Sequence, residues 1–386
     1  MDFTLTKEQK MAQDAAKDLM KKEIMPIADE YDRNKALNDR ATLKRLLDKL
    51  IPLGYIGHVL PEKWGGAGID YVTFGILMEE FARAYASLAG IVLIQGGSRE
   101  IYECGSEEQK KKFLPPIVSG EKILCSCITE PDTGSDNASI QTFAKEDGDS
   151  YVLNGTKVWI SNGSISDVAI VVAQTEHGSG AKGLCHLLVD RSESPYETRD
   201  LKKLGLTSFP TSEVVFNDCR VPKENLIVPP GEGLRTTLKL YESARATMAI
   251  CAVGMAQAAI NSSIKYAKGR MQFGKRIGEF QLIQDMIADM IAETEASRLL
   301  ALKAFSMIDR GVRCDREAST AKFYATEAAV RVTSKAIQIH GSYGLSDEFP
   351  VERYFRDARS FTIPDGTTQI QKLIVARSAL NLSAFR

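Results

Sequence analysis

The sequence is poor in the residues on which most metal and redox centres depend. It has 4 histidines in 386 residues. His58, His177, His186 and His340 are scattered, with no HExxH or Cys/His cluster, so no metal site is expected. The 7 cysteines (Cys104, Cys125, Cys127, Cys185, Cys219, Cys251, Cys314) form no CxxC pair. An odd number spread over a large chain points to free thiols in a reducing compartment, and a cytoplasmic location is expected. Net charge is lacking too: 49 Lys+Arg against 50 Asp+Glu leaves −1. Without a positive field to hold a polyanion, nucleic acid is not an expected partner. The best apolar run, Met248–Ile260, is short and carries Gln257, so no membrane span is expected. Met1-Asp2-Phe3-Thr4 has no basic or apolar stretch and no cleavage site, so no secretory signal is expected. Glycine-rich nucleotide signatures are also missing. Gly65-Gly66-Ala67-Gly68 follows no strand, and nothing matches a P-loop, so any dinucleotide must be held by another architecture.

The remainder is ordinary for a soluble globular chain, with 44% hydrophobic and 26% charged residues. At roughly 150 residues per domain, two or three domains or one large composite body are expected. The first third reads as helices. Thr6 with Gln9 forms a plausible capping box opening a segment to about Asp32, and amphipathic segments follow at Ala41–Leu53, Val72–Tyr85, Ile91–Cys104 and Glu107–Val118. Near residue 122 the character becomes β. Tyr151-Val152-Leu153 and Thr156–Ile160 flank Asn154-Gly155, which reads as a hairpin turn because both residues tolerate positive φ. Val168–Thr175, Leu184–Val189 and Glu213–Phe216 are further strands of a small antiparallel sheet or barrel. From Gly231 the period is helical again. Leu234, Leu238, Tyr241, Met248, Ala252, Met255 and Ala259 form one stripe, and Phe280, Ile283, Ile287, Met290 and Ile291 begin a second. Asp315–His340 and Thr367–Leu382 complete an antiparallel bundle. The class is α+β, divided as a helical domain (1–120), a β-domain (121–228) and a helical bundle (229–386).

Five segments carry candidate chemistry. Thr129-Glu130-Pro131-Asp132-Thr133-Gly134-Ser135-Asp136 follows a strand; it is a polar turn or a ligand-binding one. Trp159-Ile160-Ser161-Asn162-Gly163 ends a strand, where the Trp is either a core anchor or a cover for an aromatic cofactor. Gly269-Arg270-Met271-Gln272-Phe273-Gly274-Lys275 is an interhelical turn or a phosphate clamp, since Arg offers paired donors. Asp365, before the helix starting near Thr367, reads from position alone as a helix-capping carboxylate. Gly341-Ser342-Tyr343-Gly344 reads first as a helix C-cap and turn.

Together these segments, with Pro61–Gly68, Gln338–Gly344 and Asp365–Arg377, resemble the acyl-CoA dehydrogenase family of flavoproteins over nearly the whole chain. The resemblance implies an N-terminal helical domain, a middle β-domain and a C-terminal four-helix domain, with one FAD per subunit in a homotetramer or homodimer. It implies that Cys127, Thr129, Ser135, Trp159 and Ser161 lie along the flavin ring and ribityl chain. Arg270, Phe273, Phe280 and Gln281 would hold the adenine half, often across a subunit interface. Gln338, Gly341 and Ser342 match a pyrophosphate-binding turn, and Thr367 and Gln369 resemble further FAD contacts. Ser135, Glu242, Arg245 and Gly366 are implied on the acyl-CoA side.

The catalytic base departs from the family pattern. The family commonly has Tyr-Glu-Gly-Thr where this chain has Pro364-Asp365-Gly366-Thr367, and the alternative base position is Ala244. Asp365 is the one carboxylate at either place, about 1.5 Å shorter in reach than Glu. The resemblance implies α-proton removal by Asp365, hydride transfer from Cβ to flavin N5, and electron delivery to an electron-transferring flavoprotein. The resemblance associates Asp at this base with dehydrogenases of alicyclic thioesters, especially cyclohexanecarboxyl-CoA, whose α-carbon is a bulkier ring methine for which a shorter base makes room. The alternatives are a short branched-chain or glutaryl-type substrate, or a non-catalytic protein that binds flavin and acyl-CoA.

Overall fold

The computed structural model describes residues 4–384; Met1-Asp2-Phe3, read above for a signal, lie outside them. Seven α-helices come first: α1 Lys7–Leu19, α2 Ala28–Asn34, α3 Arg40–Leu50, α4 Tyr71–Ala84, α5 Ala86–Gln95, α6 Ser98–Cys104 and α7 Glu107–Val118. Thr6 does form the capping box with Gln9. The segment toward Asp32 is not one helix. Pro26 removes an N–H donor, and the chain passes through π and 3-10 turns before α2. Likewise Gly96-Gly97 separates α5 from α6, which sequence periodicity had joined.

The middle section contains β1 Leu124–Cys127, β2 Phe143–Asp147, β3 Ser150–Ser161, β4 Val168–Gln174, β5 Leu184–Asp190, β6 Glu197–Asp200, β7 Thr211–Pro222 and β8 Leu226–Val228. They form one sheet in the order β6-β7-β3-β2-β4-β5-β8, with β1 also beside β4. The sheet is mixed rather than purely antiparallel, because β1 and β2 both run parallel to β4. Every residue of β4 is buried. Val168 and Ile170 join a cluster with Ile101, Phe113 and Leu114 of the helices, while the small side chains of Ala169, Val171 and Ala173 pack with Cys125 and Cys127 inside the sheet. Coverage on both faces explains the uninterrupted apolar run.

Asn154-Gly155 is not a hairpin turn. β3 runs straight through it, and the β2–β3 turn falls at Asp147-Gly148-Asp149-Ser150. The register with β7 shifts between Leu153 and Gly155, so the dipeptide marks a β-bulge. Asn154 Oδ1 accepts from the backbone N–H of Asp218 across the bulge at 2.8 Å. A Cβ on Gly155 would meet the Thr142 hydroxyl at 2.5 Å.

Four long helices follow: α8 Gly233–Gly269, α9 Gln281–Asp309, α10 Asp315–His340 and, after α11 Val351–Ser360, α12 Thr368–Leu380. A small hairpin, β9 Met271–Gln272 and β10 Lys275–Arg276, joins α8 to α9. α8 is buried on all sides from Ala246 to Ala256 rather than along one stripe, and Leu238 remains 45% exposed. It packs against α4, α9 and α10. Gly254 permits the closest crossing, since a Cβ there would sit 2.3 Å from the Glu79 carbonyl of α4. The expectation that no apolar segment reaches membrane-spanning length does not hold. Because the apolar run lies in a 37-residue helix, this helix is long and apolar enough to cross a membrane by length and composition, and 78% of its most apolar window is buried inside the protein.

Candidate active site

Asp365 sits in the turn between α11 and α12, with φ +55, and Gly366 follows at φ +93. Left-handed backbone is unfavourable for Asp, though less so than for most residues, and it takes the carboxylate out of the helix-cap position. Thr367 is the N-cap of α12 instead, accepting from the N–H of Ile370 at 3.3 Å. Burial pushes the Asp365 carboxyl above its ordinary value, opposed by the charges of Lys322 and Arg245.

Arg245 is buried on α8 and its Nε donates to the carbonyl of Asp365 at 3.5 Å. Its guanidinium also lies over the Tyr241 ring, 5.4 Å from the centroid. Glu242, one turn earlier, faces elsewhere: its Oε2 accepts from the Cys314 thiol at 3.6 Å. Burial and then Asp315 raise the Glu242 carboxyl. The two residues paired by sequence therefore part company, and only Arg245 joins the Asp365 turn.

The second group lies at the end of β3. The register with β7 shifts again between Lys157 and Ile160. At this irregularity Trp159 adopts φ +62, and its side chain is left 57% exposed. An indole held outward on a strand end is an unfinished surface. Thr129 lies beside it, because the N–H of Val158 donates to the Thr129 carbonyl at 2.9 Å. Lys157, fully buried, anchors the same turn: its Nζ donates to the Ile128 carbonyl at 2.9 Å and to Glu130 Oε1 at 2.8 Å. Glu130 in turn accepts from the N–H groups of Gln141 and Thr142. Ser135 is exposed on this turn and Ser161 is partly buried. Cys127 differs from the expectation for a cofactor contact. Its thiol lies inside the sheet, 3.8 Å from that of Cys125, so it can offer a ligand only backbone groups.

The third group surrounds the β9–β10 hairpin. Phe273, at φ +51 and 91% exposed, stands edge-on to Phe280 with centroids 6.1 Å apart. Lys275 covers Phe280 at 4.3 Å. Arg270 is exposed, its guanidinium 5.9 Å from the Tyr343 centroid, which links the hairpin to the turn after α10. Gly341 caps α10 at φ +61 with open space where a Cβ would be. Gln281, Gln338, Ser342 and Gln369 are exposed around these elements, and Thr367 is partly covered by its capping role. Among the described residues no hydrogen bond or ion pair joins this group to Trp159 or Asp365.

These surfaces fit FAD. Trp159, Thr129 and Ser161 offer a ring face and hydroxyls. Arg270 and the open turn at Gly341 offer paired donors and close backbone approach for a diphosphate. Sequence reasoning missed Lys322 and Gln371, both fully buried and both bonded to the Asp365 turn. A signal existed for Lys322, which interrupts the alanine face of α10 between Ala318 and Ala325.

Comparison with known proteins agrees with this geometry. The chain matches the acyl-CoA dehydrogenase N-terminal domain over residues 6–121, the middle domain over 125–219 and the C-terminal domain over 231–380. It is 38% identical to a caffeyl-CoA reductase–Etf complex subunit of Acetobacterium woodii, covering 96% of this chain and 98% of that one. It is 38% identical to a glutaryl-CoA dehydrogenase of Desulfococcus multivorans, covering 99% of each chain. The structure of butyryl-CoA dehydrogenase from Megasphaera elsdenii superposes with a TM-score of 0.94 at 34% identity, covering 98% of this chain and 100% of that one. A β-domain with surfaces that fit a flavin, a carboxylate turn packed against a helical bundle and three matched domains in order have one explanation: the chain belongs to the acyl-CoA dehydrogenase family, FAD-dependent oxidoreductases that act on the CH–CH bond of acyl-CoA thioesters.

Proposed function

We propose that Asp365 is the base that removes the α-proton of the thioester, and that the preferred substrate is alicyclic, of the cyclohexanecarboxyl-CoA type. One observation carries the assignment of the base; the alicyclic preference rests on the family resemblance at that residue. Asp365 is the carboxylate of the α11–α12 turn, held out of the capping position, facing Arg245 and Lys322, and Ala244 offers no alternative. A carboxyl whose affinity for a proton is raised by burial is a better base than a fully hydrated one. Its backbone N–H is suited to donate to the thioester carbonyl, where enolate charge develops. FAD, when bound, supplies the two-electron acceptor for the hydride from Cβ. The balance is closed: the α-proton goes to Asp365, the hydride to the cofactor, and the thioester becomes the α,β-unsaturated one. Run backward, the same carboxyl protonates Cα, so the residue serves either direction, and the likeness to a caffeyl-CoA reductase bears on which one is used.

The glutaryl-type reading finds support in the relative from Desulfococcus multivorans. A second substrate carboxylate needs a free cation. Arg99, which reaches Ser243 beside Ala244 at 3.0 Å, is already paired with Glu103 at 2.5 Å. Arg99 is therefore not free for that role. Delivery of electrons to an electron-transferring flavoprotein is part of the proposal, in keeping with the Etf-complex relative. So is a homotetramer, supported by the exposed Leu282 on α9 and the exposed Phe273 and Leu345 in the turns beside the bundle. The test is a panel of cyclohexanecarboxyl-CoA, butyryl-CoA and glutaryl-CoA scored by anaerobic bleaching of the flavin. Fastest bleaching by the ring substrate is expected, and preference for either open chain overturns the alicyclic assignment.

A further inference from the structure

Lys322 lies on the face of α10 that also carries Ala318, Ala321, Ala325 and Ala329, and all five are buried. A lysine there loses its hydration and needs partners. Its Nζ donates to the carbonyls of Thr362 at 3.1 Å and Gly366 at 2.9 Å. Those two carbonyls bracket the turn that carries Asp365. Gln371 holds the same turn from α12, its Nε2 donating to the carbonyls of Asp365 at 2.8 Å and Gly366 at 3.0 Å. A Cβ on Gly366 would come within 2.4 Å of that Nε2, so glycine leaves the room the amide needs. Left-handed backbone at Asp365 persists only if its surroundings enforce it, and these four hydrogen bonds do so.

We propose that Lys322 is a positioning residue for Asp365, tying both ends of its turn and holding a positive charge behind the carboxylate. This rests on Asp365 being the base. The groups facing Lys322 are Asp365 from the turn, Arg245 from α8 and Glu327 on α10 itself. Glu327 is engaged by the Thr368 hydroxyl at 2.7 Å. Tyr241 of α8 faces Asp365 as well. Burial lowers the Lys322 ammonium to about 8, with Asp365 pulling it back up and Arg245 adding to the fall. Below that value the ammonium favours ionised Asp365. Loss of the charge therefore raises the Asp365 carboxyl further and moves the acid limb of kcat/KM to higher pH. Gln371 positions without charge, so its loss leaves the limb in place.

The test uses the FAD-loaded protein with whichever of cyclohexanecarboxyl-CoA, butyryl-CoA or glutaryl-CoA reduces the wild-type flavin. Lys322→Met should keep KM within about threefold, lower kcat at least about tenfold and raise the acid limb by about one pH unit. Backbone hydrogen exchange at Thr368, whose N–H donates to the Thr362 carbonyl that Lys322 also holds, measured without substrate, should accelerate by at least about tenfold. Gln371→Met should lower kcat with no movement of the limb. A folded Lys322→Met protein with wild-type limb and exchange overturns the proposal. Should that variant not fold, Lys322→Gln keeps a donor but loses the charge, and an unmoved limb overturns it equally. Asp365→Asn is run beside them. Retained bleaching there rejects the base itself, while exchange in the Lys322 variants still judges the positioning role; a silent Asp365→Asn with normal Lys322 variants rejects the positioning role alone.

Discussion

Replacing Asp365 by Asn separates catalysis from stability. The substitution keeps the shape of the side chain and removes the base. No neighbour can substitute: position 244 is Ala, and Glu242 is turned toward Cys314. Turnover should fall by at least about 10³-fold, or about 4 kcal/mol of barrier. Stability should move the other way. The Asp365 carboxyl is raised above 3.8 because burial outweighs Lys322 and Arg245. A raised value means that the folded chain holds a proton the unfolded chain has released. The associated stabilisation is full below 3.8 and is lost as pH rises through the folded value. At neutral pH the ionised carboxylate thus weighs against the fold, and Asn carries no such charge. The Tm of the variant should equal or exceed that of the wild type at neutral pH, and the gap should close on acidification. Anaerobic flavin bleaching and thermal melts at both pH values measure the two effects. Retained bleaching refutes the base, and a neutral-pH Tm several degrees below wild type refutes the electrostatic reasoning.

Much of the helical framework is legible because its signals are local. Glu107–Val118 and Asp315–His340 have the same bounds in sequence periodicity and in structure, and the Thr6–Gln9 box forms as written. Non-local features are where sequence reading fails. Asn154-Gly155 favours positive φ in a turn or a bulge alike, and only the pairing of β3 with β7, closed by Asp218, selects the bulge. α11 goes unread because it is short and half charged, with few apolar residues to set a period. Its partners lie more than three hundred residues away: Arg353 pairs with Asp29 and Arg356 with Asp32. At the site, motif order offers Trp159, Arg270 and Asp365 as candidates, but not which faces they present. Cys127 turns inward since alternate residues of β1 face the sheet core, and Glu242 turns away from Arg245 since the start of α10 draws it. Lys322 was visible as a charge in an alanine stripe; its partners, the carbonyls of Thr362 and Gly366, leave no trace in the sequence.

Arg270→Ala should weaken FAD retention by at least about tenfold, the worth of a charge-assisted pair of hydrogen bonds, with little effect on thioester binding. Flavin release on gel filtration measures it, and equal loss of both ligands would move Arg270 out of the FAD site. Gly366→Ala forces a Cβ to 2.4 Å from the Gln371 amide at φ +93. It should destabilise the protein by about 1–3 kcal/mol in thermal or denaturant melts and reduce turnover with it; wild-type behaviour would show that the turn is not held as described. Asp365→Glu tests the match between base and substrate. Glu restores about 1.5 Å of reach. The turn cannot retreat to absorb it, because Lys322 and Gln371 hold its carbonyls from two helices. The added methylene must enter the space of the α-carbon, where a ring methine is bulkier than a chain methylene. The kcat/KM ratio of butyryl-CoA to cyclohexanecarboxyl-CoA should then rise by at least about tenfold, within the range one methylene commands in a packed site. An unchanged ratio would leave Asp365 as the base but remove the reason for its being short.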